Sequence, residues 1–67
     1  MRYFITPLNE NQPLNYSETI SGSYIQAVKR ADSLRVRLQA VLTQATITVE
    51  IIWFENGNQK KSITITE

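Results

Sequence analysis

Hydrophobic and polar residues follow two rhythms along this chain, a period of two near both ends and a helical period between them. Thr46 to Phe54 alternates most cleanly, with Ile47, Val49, Ile51 and Trp53 on one parity and Thr48, Glu50, Ile52 and Phe54 on the other. Such β-branched and aromatic alternation predicts a half-buried strand. Gln59 to Thr66 reads as its partner, and Asn56-Gly57 marks the hairpin between them. A two-residue Asn-Gly turn sets Val49 opposite Thr64 and Glu50 opposite Ile63, which mixes the faces. A three-residue loop, Glu55-Asn56-Gly57, sets Val49 opposite Ile63 and Ile47 opposite Ile65, so parity favours the longer loop.

At the other end, Arg2 to Thr6 is β-branched and aromatic, and Pro7 is expected to close that strand. Asn9 to Pro13 is polar and reads as a loop. Leu14, Tyr16, Glu18 and Ile20 then alternate with Asn15, Ser17 and Thr19. A second short strand fits that alternation, with a structureless segment up to Gly22 as the alternative; long irregular loops are uncommon in small domains.

Ser21-Gly22-Ser23 interrupts the alternation, and Ser23 with Gln26 has the spacing of a capping box. Tyr24, Ala27, Val28, Ala31, Leu34, Leu38, Val41 and Leu42 recur at three- and four-residue steps, predicting a helix from about Tyr24 to about Thr43. The alternation of Arg35 to Ala40 leaves a rival in which the helix stops near Ser33 and a strand follows. Helix-favouring Leu, Arg, Gln and Ala, with no Gly or Pro after Asp32, favour the longer helix. The expected fold is α+β: a single domain over residues 1–67, one amphipathic helix on an antiparallel sheet of three to four strands. With Met1 present and strand pattern starting by Arg2, that domain is expected to be the whole gene product.

Composition narrows the chemistry. The 67 residues are 42% hydrophobic and 19% charged, as in a folded domain, with a net charge of +1. Cys and His are both absent, which removes disulfides, the usual zinc, haem and iron–sulfur ligands, and the common nucleophile–base pairs. Glu10, Glu18, Asp32, Glu50, Glu55 and Glu67 show no motif spacing, and Gly22 and Gly57 are each accounted for by a turn. No catalytic residue, cofactor or metal is expected. No apolar run reaches the ~20 residues of a membrane span, and nothing resembles a signal peptide, so a cytoplasmic location is expected.

Two surfaces remain as sites for a partner. The helix carries Lys29, Arg30, Arg35 and Arg37 against one acid, Asp32, and Arg30 and Arg37 share a face with Gln26 and Ser33. Such a row can follow phosphates or meet an acidic protein, but four charges are also what an ordinary solvated helix face carries, and that reading is favoured. The second surface is the far side of the sheet, where Ile52 and Phe54, with Phe4, form an apolar patch beside Lys60. It reads as a partner or dimer surface, or as a base-stacking platform; scattered exposed apolar residues are the ordinary alternative. Ile25 and Val36 also escape the helix's apolar stripe. Tyr3, Tyr24 and Trp53 are expected in the core, and Thr46, Thr48, Thr64 and Thr66 as ordinary cross-strand pairs.

The string Ser23-Tyr24-Ile25-Gln26-Ala27-Val28-Lys29-Arg30-Ala31, followed by a strand and the Glu55-Asn56-Gly57 turn, resembles certain anti-CRISPR inhibitors. These are short, cysteine-poor proteins of phages and mobile elements that set an amphipathic helix over an antiparallel sheet. The resemblance spans about half the chain, and the helix here is longer. It implies binding to a CRISPR surveillance complex, with Lys29 and Arg30 among the contacts. The expected function is therefore a small non-catalytic protein that inhibits or regulates a protein or nucleoprotein. The alternatives are a nucleic-acid-binding regulator using the basic helix and a homo-oligomeric accessory or structural protein, such as a homodimer.

Overall fold

The computed structural model describes residues 1–64. In it the chain runs β1 (Arg2–Asn9), β2 (Gln12–Pro13), β3 (Glu18–Ser21), α1 (Tyr24–Val41), β4 (Ile47–Glu55) and β5 (Asn58–Thr64). Every strand pair is antiparallel, in the order β2-β1-β4-β5, with β3 lying on the same side of β1 as β2. The expected α+β domain is the observed one, with five strands in place of three or four. No helix among the described residues is long and apolar enough to cross a membrane.

One face of this sheet holds the core. Tyr3 and Ile5 of β1 and Val49 and Ile51 of β4 pack against Ala27, Ala31 and Leu34 of α1. The two alanines let the helix backbone approach the sheet closely, and Leu38, Val28, Ile20 and Trp53 close the sides. Tyr3, Tyr24 and Trp53 form a ring cluster with centroids 5.2–6.1 Å apart, and the Tyr24 hydroxyl donates to Ser62 Oγ at 2.9 Å. Tyr3 is core as expected and Trp53 is partly buried, but Tyr24 stays exposed at the rim.

Pro7 does not end β1, and it is itself fully buried within the strand. Its carbonyl accepts from the Leu14 amide at 2.9 Å. A residue's N and C=O point to the same side of an extended strand, so the missing N–H also faces Leu14. There the neighbouring strand is already broken, between β2 and β3, and no ladder bond is lost. The alternating segment from Leu14 to Ile20 is accordingly only half a strand: Glu18–Ser21 pairs with β1, Leu14 is tied to it by its amide alone, and residues 15–17 pair with no strand.

The polar stretch after Asn9 is a tight hairpin. Asn9 pairs with Gln12, enclosing Glu10 and Asn11 at φ 49° and 67°. Two consecutive left-handed residues make a type I′ turn, which Asn-Gly suits and Glu does not. Changing Glu10→Asn together with Asn11→Gly is expected to stabilise the domain by about 0.5–1 kcal/mol. A chemical-denaturation midpoint that fails to rise would show that the present turn carries no strain.

Helix α1 starts where expected. Ser23 Oγ accepts from the Gln26 amide at 3.2 Å, and the Ser23 amide donates to Gln26 Oε1 at 2.9 Å, completing the capping box. The helix continues through Arg35–Ala40 to Val41, so the rival strand is not formed. Beyond it, the Gln39 amide nitrogen donates to the carbonyls of Leu42 and Ala45 at 3.2 and 2.7 Å, and its oxygen accepts from the Ile47 amide at 3.1 Å.

The β4–β5 hairpin overturns the expected register. Its turn has two residues, Asn56 and Gly57, at φ 52° and 79°, and Glu55 pairs with Asn58. Val49 therefore lies opposite Thr64 and Glu50 opposite Ile63. The parity argument assumed that β5 must bury apolar side chains under the helix. In fact α1 packs mainly on β4 and β1 and only lightly on β5, which is an edge strand. Its helix-side positions can be Lys60, Ser62 and Thr64, and Ile63 turns to the other face. The expected partner of Ile47, Ile65, and the Thr66 end of the strand lie outside the described residues.

Candidate functional site

Among the described residues no helix packs on the sheet face opposite α1, although Leu8, at one end of that face, is buried. Even-numbered residues of β1 and β4 occupy it, and the registers Phe4–Ile52, Thr6–Glu50 and Leu8–Thr48 place them side by side. From β5 come Gln59, Lys61 and Ile63. Phe4, Phe54 and Ile63 are 40%, 54% and 43% exposed, and Ile52, between Phe4 and Lys61, is partly buried by them. Phe4, Ile52 and Phe54 are neighbours in this register, and Ile63 lies diagonally beyond Ile52. Lys61 Nζ and Glu50 Oε2, 3.3 Å apart, form an ion pair across that diagonal.

Ile52 and Phe54 thus stand where their parity placed them. Lys60 does not: it lies opposite Trp53, on the helix side. The one-residue change of register exchanged Lys60 for Lys61 and brought in Ile63, which the sequence reading had assigned to the core. Taking Asn-Gly at its usual preference for a two-residue turn would have found Ile63.

The four cations of α1 do not form one surface. Arg30 donates through Nε and Nη2 to Glu18 of β3, the second bond at 3.1 Å. The Tyr16 hydroxyl donates to the same carboxylate. The Arg30 guanidinium first, with the Tyr16 hydroxyl in support, holds the Glu18 carboxyl below the usual carboxylate range. Glu18 in turn pushes the Arg30 and Tyr16 pKa values up. Arg35 Nη2 donates to Asp32 Oδ1 at 2.8 Å, one turn back along the helix. Lys29 is exposed on the solvent side, with Ile25 and Val36. Arg37 alone joins Arg30, along a groove that also involves Tyr16, Leu34, Leu38 and Val41.

Comparison with known proteins gives no relatives: no family model, curated protein or solved structure matches the chain. The surfaces themselves are the basis for a functional reading. The Tyr16–Glu18–Arg30 cluster was not foreseen because Arg30 is distant in sequence from the other two and meets them only through the folding of α1 against β3.

Proposed function

We propose that this protein is a small non-catalytic binding module that docks a partner protein on the open face of its sheet, and so blocks or regulates that partner. The observation that carries this reading is the cluster of Phe4, Ile52 and Phe54, with Ile63 nearby, on the sheet face that α1 leaves open. Large apolar side chains gathered on one face mark interaction surfaces more often than chance exposure does, and two are aromatic, the type that dominates interface energetics. A chain without His or Cys has few groups for chemistry and acts most simply by occupying a surface. The inhibitor-type resemblance agrees with that mode of action.

A nucleic-acid regulator is less well supported. Two of the four helix cations, Arg30 and Arg35, are already paired with Glu18 and Asp32. Counterion release grows with each phosphate neutralised, so Lys29 and Arg37 alone give little affinity for a duplex.

The test compares wild type with Ile52→Asp and Phe54→Asp in pull-downs from the native host, with sedimentation to detect self-association. Both variants should keep the wild-type circular dichroism and lose the partner, with affinity down about tenfold or more. Capture of the same protein at equal affinity by all three would remove the sheet face from the reading. A wild-type dimer that Ile52→Asp dissociates would assign the face to a second copy instead.

A further inference from the structure

A second surface lies on the opposite side of the sheet. Residues 15–17 pair with no strand, and Tyr16 of that segment lines a groove of about 370 Å³ beside the C-terminal half of α1. Its apolar lining is buried Leu34, half-buried Leu38 and exposed Val41, and Tyr16, Arg30 and Arg37 complete it. Positions 34, 37, 38 and 41 follow i, i+3, i+4 and i+7 spacing, so the apolar lining and the Arg37 guanidinium share one side of the helix. Val41 is 77% exposed, more than the other large apolar residues of α1, and no described element shields it.

The charges of this groove are not balanced. Glu18 is the carboxylate beside it, and its two oxygens already accept from Arg30 and Tyr16. Arg37 makes no ion pair or hydrogen bond among the described residues. The groove therefore offers an apolar lining with one uncompensated guanidinium next to it. Arginine binds a carboxylate through two parallel N–H donors, which fixes orientation as well as charge.

We propose that the groove binds a short extended segment of a partner protein in which a large aliphatic or aromatic side chain adjoins a carboxylate. The side chain lies on Leu34, Leu38 and Val41, and the carboxylate pairs with Arg37. Charge complementarity selects this occupant. A nucleotide's phosphates carry more negative charge than one free cation matches, and an open groove of this size holds a side chain or two, not a long acyl chain. The site is independent of the sheet-face reading, because the two surfaces lie on opposite sides of the sheet.

The experiment is a titration of ¹⁵N-labelled full chain followed by amide chemical shifts. The probe is an acetylated tetrapeptide ending in leucine with a free carboxylate; the controls are its C-terminal amide and octanoate. Shifts should concentrate at Leu34, Arg37, Leu38 and Val41. Amidation of the probe, or Arg37→Glu in the protein, should weaken binding about tenfold or more. Arg37→Gln, which keeps a polar side chain on the helix surface, should weaken it in the same direction, so a folding defect in Arg37→Glu does not decide the result. No localised shift at millimolar probe, equal binding of the amide, or tighter binding of octanoate would each overturn the proposal. Shifts confined to Phe4, Ile52 and Phe54 would overturn it too, while leaving the sheet-face reading in place.

Discussion

Ile51→Asp is expected to prevent folding, while the same change one residue later, Ile52→Asp, is expected to leave the monomer folded. Ile51 has no exposed surface and packs with Tyr3, Ile5 and the two helix alanines. No cation lies in that cluster to receive a carboxylate. An unpaired buried charge costs several kcal/mol, which matches or exceeds the few kcal/mol that a core this small supplies. Ile52 points the opposite way, with Phe4 and Lys61 at its sides, so an aspartate there meets water and an ammonium group. Circular dichroism and thermal melts of the two variants decide the matter. A folded Ile51→Asp beside an unfolded Ile52→Asp would invert both faces of the sheet, and with them the proposed docking surface.

Gln39→Ala should produce the next largest loss, about 2–3 kcal/mol. The single amide of Gln39 serves two carbonyls and one backbone N–H between the end of α1 and the start of β4. Each such bond contributes about 1 kcal/mol, and partly buried partners left unsatisfied raise the cost. Urea denaturation reads the effect directly. A midpoint within error of wild type would show that water replaces the side chain at all three positions.

Much of the architecture was legible because its signals are local. The capping box needs only Ser23 and Gln26, and the helix face only the recurrence of Ala27, Ala31 and Leu34. The alternation of β4 likewise fixed which of its residues face the helix, and so located Ile52 and Phe54 correctly. Failures came where a second element decided the outcome. Pro7 reads as a strand end unless it is known that the opposing strand breaks at Leu14. The β5 register was inferred from a demand for burial that an edge strand does not have to meet. The groove was illegible for the same reason: it depends on Tyr16 and Glu18 meeting Arg30 from another element. Glu10-Asn11 was hidden differently, since a glutamate in a left-handed turn is a poor advertisement for a hairpin.

The placement of β1 sets the order in which this molecule can be assembled. Its pairing with β2 and β3 is local, but every residue it pairs with on β4 is more than half the chain away. During synthesis the first hairpin and the helix emerge well before β4, with Tyr3 and Ile5 lacking the strand that completes their burial. Closing that distance costs chain entropy before any contact with β4 repays it. Hence the apolar side of the nascent hairpin stays open until β4 has emerged to pair with β1, and β5, which follows β4 in the chain, adds to the far edge last.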